Sequence, residues 1–229
     1  MLDELAHAGP EHLDAGYVAG YDLKAGVDPA EEVEALRRCG LQQGWTLVDV
    51  GAGTGEVAIA AARHCQRVVA VEVSPAMLAL ARHKAQRADA ANVEFVRAGF
   101  LTYQHQGEPA DMVCSRNALH QLPDFWKGVA LERIAAVLRP GGVLSLRDLV
   151  WCFDPGEAAA WLDAWLAAAP DDPARGWTAQ ELATHIREEH STYSWLLEPM
   201  LERVGFDIAE REVSPSRVFA AYLCVRRPG

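Results

Sequence analysis

The stretch from Thr46 to Ala60, TLVDVGAGTGEVAIA, limits what this chain can fold into more than any other. Thr46, Leu47, Val48 and Val50 are β-branched or long and apolar, as a short buried strand requires, and the run then breaks into Gly51, Gly53 and Gly55. A strand ends there and a helix begins. Glycine at 51 and 53 lets the backbone take positive φ and lie against a ligand, while the helix opened at Gly55 turns its free N–H groups to the same spot. The residues predict small-molecule capture at the carboxyl end of a strand in an α/β chain.

Acidic neighbours narrow the ligand. Read from Gly53, G-T-G-E-V-A satisfies the dinucleotide pattern G-x-G-x-x-G/A; read from Gly51, that pattern fails at Glu56. Two carboxylates, Asp49 and Glu56, would oppose a pyrophosphate at the helix terminus, and a cationic ligand is easier to place. With Asp49 included, Val-Asp-Val-Gly-Ala-Gly-Thr-Gly resembles the first motif of class I S-adenosylmethionine-dependent methyltransferases. Their ligand carries an ammonium and a sulfonium and no phosphate. The resemblance implies that Asp49 and Gly51, with Ala52 between the glycines, hold the amino-acid end of S-adenosylmethionine, and that Gly53 and Gly55 leave room for it.

The rest of the chain extends the likeness. Arg67 to Val73, RVVAVEV, is an apolar strand whose Glu72 lies roughly 20 residues past the glycine turn, the place for a bidentate grip on ribose hydroxyls. Val73 adjoins it. Ser74-Pro75 then caps a helix in which Met77 either touches adenine or packs in the core. After the strand Asn92 to Val96 the chain departs from its relatives: many have an Asp where Gly99 stands, accepting from the adenine amino group. The resemblance therefore implies adenine contacts from the backbone around Gly99 and from Phe100. Asp111 to Ser115 is a fourth strand, and the RNALHQLP that follows it resembles the motif of small-molecule members that passes the sulfonium. On that likeness Asn117 lies near the methionine part and His120 faces the methyl acceptor. Arg116 is either structural or holds an acidic substrate.

A helix from Asp124 to Leu138, with Val129, Ile134, Val137 and Leu138 inward, runs into the LRPGGVL turn and a fifth strand, Val143 to Val150. Arg147 and Asp148 reach the carboxyl edge of that strand, where they orient substrate or form a salt bridge. Upstream, Tyr17 and Tyr21 sit on a helix that either covers the sheet edge or, as in similar methyltransferases, closes the methionine end of the site. Between Trp151 and Pro199 the strand–helix alternation stops. This stretch reads as a helical lid rich in tryptophan, and its Glu189, His190 and Tyr193 are candidates for a base with Trp195 as a substrate contact. Metal binding is not expected, because His185 and His190, five apart, do not share a helix face.

The expected architecture is a doubly wound, mostly parallel seven-stranded sheet of Rossmann-like methyltransferase type, with the last strand antiparallel beside the fifth. Residues 1–40 would form cap helices, 41–150 and 200–229 the cofactor-binding core, and 151–199 the lid. Half of the 229 residues are apolar, enough for one core, and the net charge of −11 argues against a nucleic-acid substrate. Five scattered cysteines read as reduced thiols, and no apolar run long enough to span a membrane occurs, which suits a cytoplasmic protein. The oligomeric state stays open, a homodimer included. The expected activity is methyl transfer to O, N or C of a small molecule; the alternatives are a non-methylating S-adenosylmethionine-binding protein and a dinucleotide-dependent oxidoreductase.

Overall fold

Five parallel strands form where the sequence places its apolar runs, and their alternation decides how the helices pack. The computed structural model describes residues 2–228. The parallel strands are β1 (Thr46–Val50), β2 (Arg67–Glu72), β3 (Val93–Arg97), β4 (Ala110–Arg116) and β5 (Leu138–Trp151). Along them successive side chains alternate in face. Val48, Val69, Val113 and Leu144 pack on one side with Leu131 and Ile134 of α5 (Asp124–Val137) and Leu197 and Leu201 of α8 (Ser194–Arg203). Leu47, Val68, Ala70 and Met112 pack on the other with Val33 and Leu36 of α2 (Pro29–Arg38) and Ala58 and Ala61 of α3 (Glu56–Ala61). Helices on both faces explain why the strands read as continuous apolar runs.

The sheet is ordered β3-β2-β1-β4-β5-β8-β7, with β7 (Phe206–Val213) and β8 (Phe219–Arg226) antiparallel. β8 lies beside β5, as expected from the tail. The sequence reading counts seven strands. An eighth, the two-residue β6 (Thr192–Tyr193), pairs with Val150 and Trp151 at the end of β5. Chain order reverses between β1 and β4, a switch point whose carboxyl edge is where open α/β sheets bind ligands.

Local signals set most boundaries. Asp28 caps α2 by accepting from the N–H groups of Ala30 and Glu31, with Pro29 at the first helical position. Ser74 caps α4 (Pro75–Arg87) in the same way through Met77 N–H. Two readings need correction. The strand after α5 starts at Leu138, so the Pro-Gly-Gly segment lies inside β5. The buried face of α5 is Lys127, Ala130, Leu131, Ile134 and Ala135, displaced from the one predicted. Over the carboxyl edge lie α1 (Ala15–Ala25), α6 (Ala158–Ala167) and α7 (Ala179–Glu188), and Lys24 of α1 is ion-paired with Glu181 of α7. No helix among the described residues is long and apolar enough to cross a membrane.

Candidate active site

Two hollows open side by side at this edge. A groove runs from Gly51 and Gly53 past Glu72, Val73 and Met77 to Gly99 and Phe100. A second cavity, of about 390 Å³, is walled by Tyr17, Trp165, Trp177, His120, His185 and Glu189. His12, Tyr21, Arg116, Asn117 and Gln121 line both, so the two spaces meet along that wall.

The Glu72 carboxylate is 8% exposed at the groove. Its Oε2 accepts from Gly53 N–H at 2.9 Å and its Oε1 from Ser74 N–H at 2.8 Å, which fixes the group and leaves lone pairs for ribose hydroxyls. Gly51 has φ +77°, and a Cβ there would collide with Ala118. Gly53 has φ +54° with open space where a Cβ would stand. Both therefore keep the turn flat against the groove. Asn117 also takes positive φ, +50°, and its buried Oδ1 has no hydrogen-bond partner among the described residues. An unpaired buried acceptor costs about 1–3 kcal/mol, and a donor arriving in the groove would relieve it.

Other expected contacts fall elsewhere. Asp49 is 5% exposed and is not among the groove-lining side chains; it lies behind the turn, where burial pushes its carboxyl up to about 7 despite a bond with Cys114. Gly55 serves packing instead of ligand room, since a Cβ there would press on Ala81 and Ile59 at 3.0 and 3.3 Å. Ala52 gives its N–H to the Val71 carbonyl and stays outside the groove wall. Tyr17 belongs to the second cavity, whereas Tyr21 lines both.

Glu4 went unnoticed in the sequence. Its carboxylate, 8% exposed, lines the groove beside Gly99, where Leu101 N–H donates to Oε1 at 3.0 Å and the Thr102 hydroxyl to Oε2 at 3.1 Å. Burial raises its pKa, and these donors lower it in part. An isolated acid some 97 residues from its partners gives no local signal.

The second cavity ends in a polar cluster. His120 Nδ1–H donates to Asp148 Oδ1 at 2.5 Å, and its Nε2 lies 3.0 Å from Glu189 Oε2. His185 Nδ1 is 2.6 Å from that same oxygen, and its Nε2 is 2.9 Å from Ser191 Oγ. Burial alone would lower the His120 pKa, yet Asp148 and Glu189 outweigh it and lift the ring to about 9. Burial raises that of Glu189, but its two histidines hold it well below the usual carboxylate range. The expectation of no metal-ligand set is corrected here: the fold, not helix spacing, brings donor atoms of His120, His185 and Glu189 within 4.8 Å of one another, an arrangement able to hold a cation.

Most of the remaining candidates lie off both hollows. The His190 ring is tilted against His7 at 5.7 Å, and only its backbone reaches the cluster, donating to the His120 carbonyl. Tyr193 stacks on Trp195 at 5.2 Å, outside both hollows, and Trp195 is half exposed. Arg147 is bound to Glu32 at 3.0 Å, away from either hollow. Asp148 meets no open space; besides His120 Nδ1–H it accepts from the N–H groups of Leu119, His120 and Leu149. Arg116, also on Glu32, does stand in the shared wall. The groove thus offers two carboxylates, Glu4 and Glu72, and one already paired cation. That pattern suits a nucleoside with a cationic tail and opposes a pyrophosphate.

Known proteins agree. A family model described as a methyltransferase domain matches residues 47–142. The arsenite methyltransferase of Halobacterium salinarum is 28% identical over 158 residues, covering 65% of this chain and 38% of that protein. An uncharacterized methyltransferase of Mycobacterium tuberculosis is 29% identical over 153 residues, covering 62% of this chain and 75% of its own. The magnesium protoporphyrin IX methyltransferase of Synechocystis PCC 6803, solved with bound S-adenosylmethionine, has the same fold at a TM-score of 0.67 and 16% identity, covering 100% of this chain and 99% of that one. Residues 47–142 thus carry a methyltransferase domain, the fold is that of the class I S-adenosylmethionine-dependent methyltransferases, and S-adenosylmethionine is the cofactor they point to.

Proposed function

We propose that this chain transfers the sulfonium methyl of S-adenosylmethionine to an oxygen, nitrogen or carbon of a small-molecule acceptor held in the second cavity. One observation carries the reading: groove and cavity share the wall of Tyr21, Arg116, Asn117 and Gln121, so donor and acceptor would meet across it. When bound, S-adenosylmethionine supplies a methyl carbon on a positively charged sulfur, an electrophile that needs alignment more than activation.

The protein's part is to bind, align and take up a proton. Glu72 holds the ribose, and Asn117 Oδ1 accepts from the ammonium of the amino-acid tail. Tyr21, Trp165 and Trp177 keep water from the acceptor. Transfer of that methyl group would leave the electron pair of the carbon–sulfur bond on a neutral sulfur, with no further reagent needed. Where the acceptor carries a proton, that proton passes to the Glu189 carboxylate, which His120 and His185 keep aimed by their bonds to Oε2; Asp148 positions His120. The stretch 151–199 acts as the lid that selects the acceptor.

The test is release of S-adenosylhomocysteine from labelled S-adenosylmethionine with carboxylic acids, phenols and amines as acceptors. Glu189→Gln should lower kcat by about 10²- to 10⁴-fold for an acceptor that must lose a proton, with S-adenosylhomocysteine affinity unchanged. Tight binding without transfer to any of the three classes would overturn the proposal.

A further inference from the structure

The groove has a base end that nothing in its strand-borne residues equips. Glu72 grips the ribose at the end of β2, and the amino-acid tail lies toward β1, so the nucleobase extends the other way, over the end of β3. There the walls are Met77, Ala98, Gly99, Phe100 and Leu122, apolar side chains and backbone that suit the faces of a purine. A 6-amino group also needs an acceptor, because an unpaired donor buried there would cost more than the contact gains. Gly99 has no side chain to offer one. A Cβ added to it would collide with the Glu4 carboxylate, so Glu4 occupies the space that an acidic side chain at 99 would fill.

We propose that Glu4, brought in by the segment before α1, supplies the acceptor that recognises the 6-amino group of adenine. Leu101 N–H and the Thr102 hydroxyl donate to its two oxygens, the N–H groups of Phe100 and Thr102 lie close by, and the carboxylate still lines the groove. The same two bonds fix its position before any ligand arrives. Leu2, two residues before it, packs against the core and holds the start of the segment. The inference rests on the assignment of the groove to S-adenosylmethionine, and the test separates the two.

Calorimetry on the full chain would compare S-adenosylhomocysteine with its analogue lacking only the 6-amino group. Wild type should prefer the amino compound by tenfold or more, about what a charge-assisted hydrogen bond gives. Glu4→Ala should weaken the amino compound by about 10- to 100-fold, leave the analogue nearly unchanged and abolish the preference. Glu4→Ala/Gly99→Asp should restore it, because Gly99 does not have positive φ and accepts a side chain once Glu4 is removed. Equal loss for both ligands would reduce Glu4 to a packing residue, and an unchanged preference would overturn the proposal outright. If Glu4→Ala does not fold, Glu4→Gln decides: a neutral acceptor should narrow the preference, and an unaltered one refutes the idea. Failure of wild type to bind either ligand would sink the groove assignment and this inference with it.

Discussion

His120 has a carboxylate on each ring nitrogen, and this settles its charge as well as its tilt. With a pKa near 9 against an ordinary 6.5, the folded protein holds this proton more tightly than the unfolded chain. The stability so gained is complete below about pH 6.5 and is lost as pH rises toward 9. The melting temperature of wild type should therefore fall across that interval more steeply than that of His120→Gln; parallel curves would refute it. Single residues were legible in the sequence where chemistry and strand position coincide. Glu72 and Asn117 line the groove, at the ends of the strands where the sequence put them. Asp49 does not, because a side chain's direction on a strand depends on register, and its register turns the carboxyl toward Cys114 and away from the groove.

Elements were read well where a cap or an apolar period marks them, as for α2, α4 and the hairpin of β7 and β8. They were read poorly where a charge is buried. Lys127 is 2% exposed inside α5, its ammonium donating to Asp124 Oδ1 at 2.9 Å, to the Leu122 carbonyl at 2.6 Å and to the His190 carbonyl. Nothing local in the sequence marks this lysine for burial, since its oxygens come partly from a loop 63 residues away. That bond ties α5 to the loop holding Glu189. Lys127→Met should leave buried carbonyls unpaired and cost about 3 kcal/mol in urea unfolding. It should also lower methyl-transfer kcat through the displaced Glu189 loop; unaltered stability would show that the lysine is dispensable.

Across the molecule, the sheet and its switch point follow from the order of apolar runs, but the roof over them does not. The ion pair of Lys24 with Glu181, the approach of His185 to His120 and the insertion of Glu4 all join parts far apart in sequence. None leaves a periodic trace. Because the ligand binds only the assembled groove, S-adenosylhomocysteine at a hundred times its Kd should add about 2.7 kcal/mol to the unfolding free energy. Glu72→Ala should remove most of that gain at the same ligand concentration, and an equal gain in the variant would contradict the ribose role.

β6 has a broader consequence. It lies beside the last residues of β5, so the stretch 152–191 departs from and returns to nearly one point on the sheet. A detour whose ends meet can be exchanged without disturbing what it is attached to. Since α7 and both cavity tryptophans lie on it, grafting another such detour here, with His185, Glu189 and His190 kept, would give the same methyl donor a different clientele.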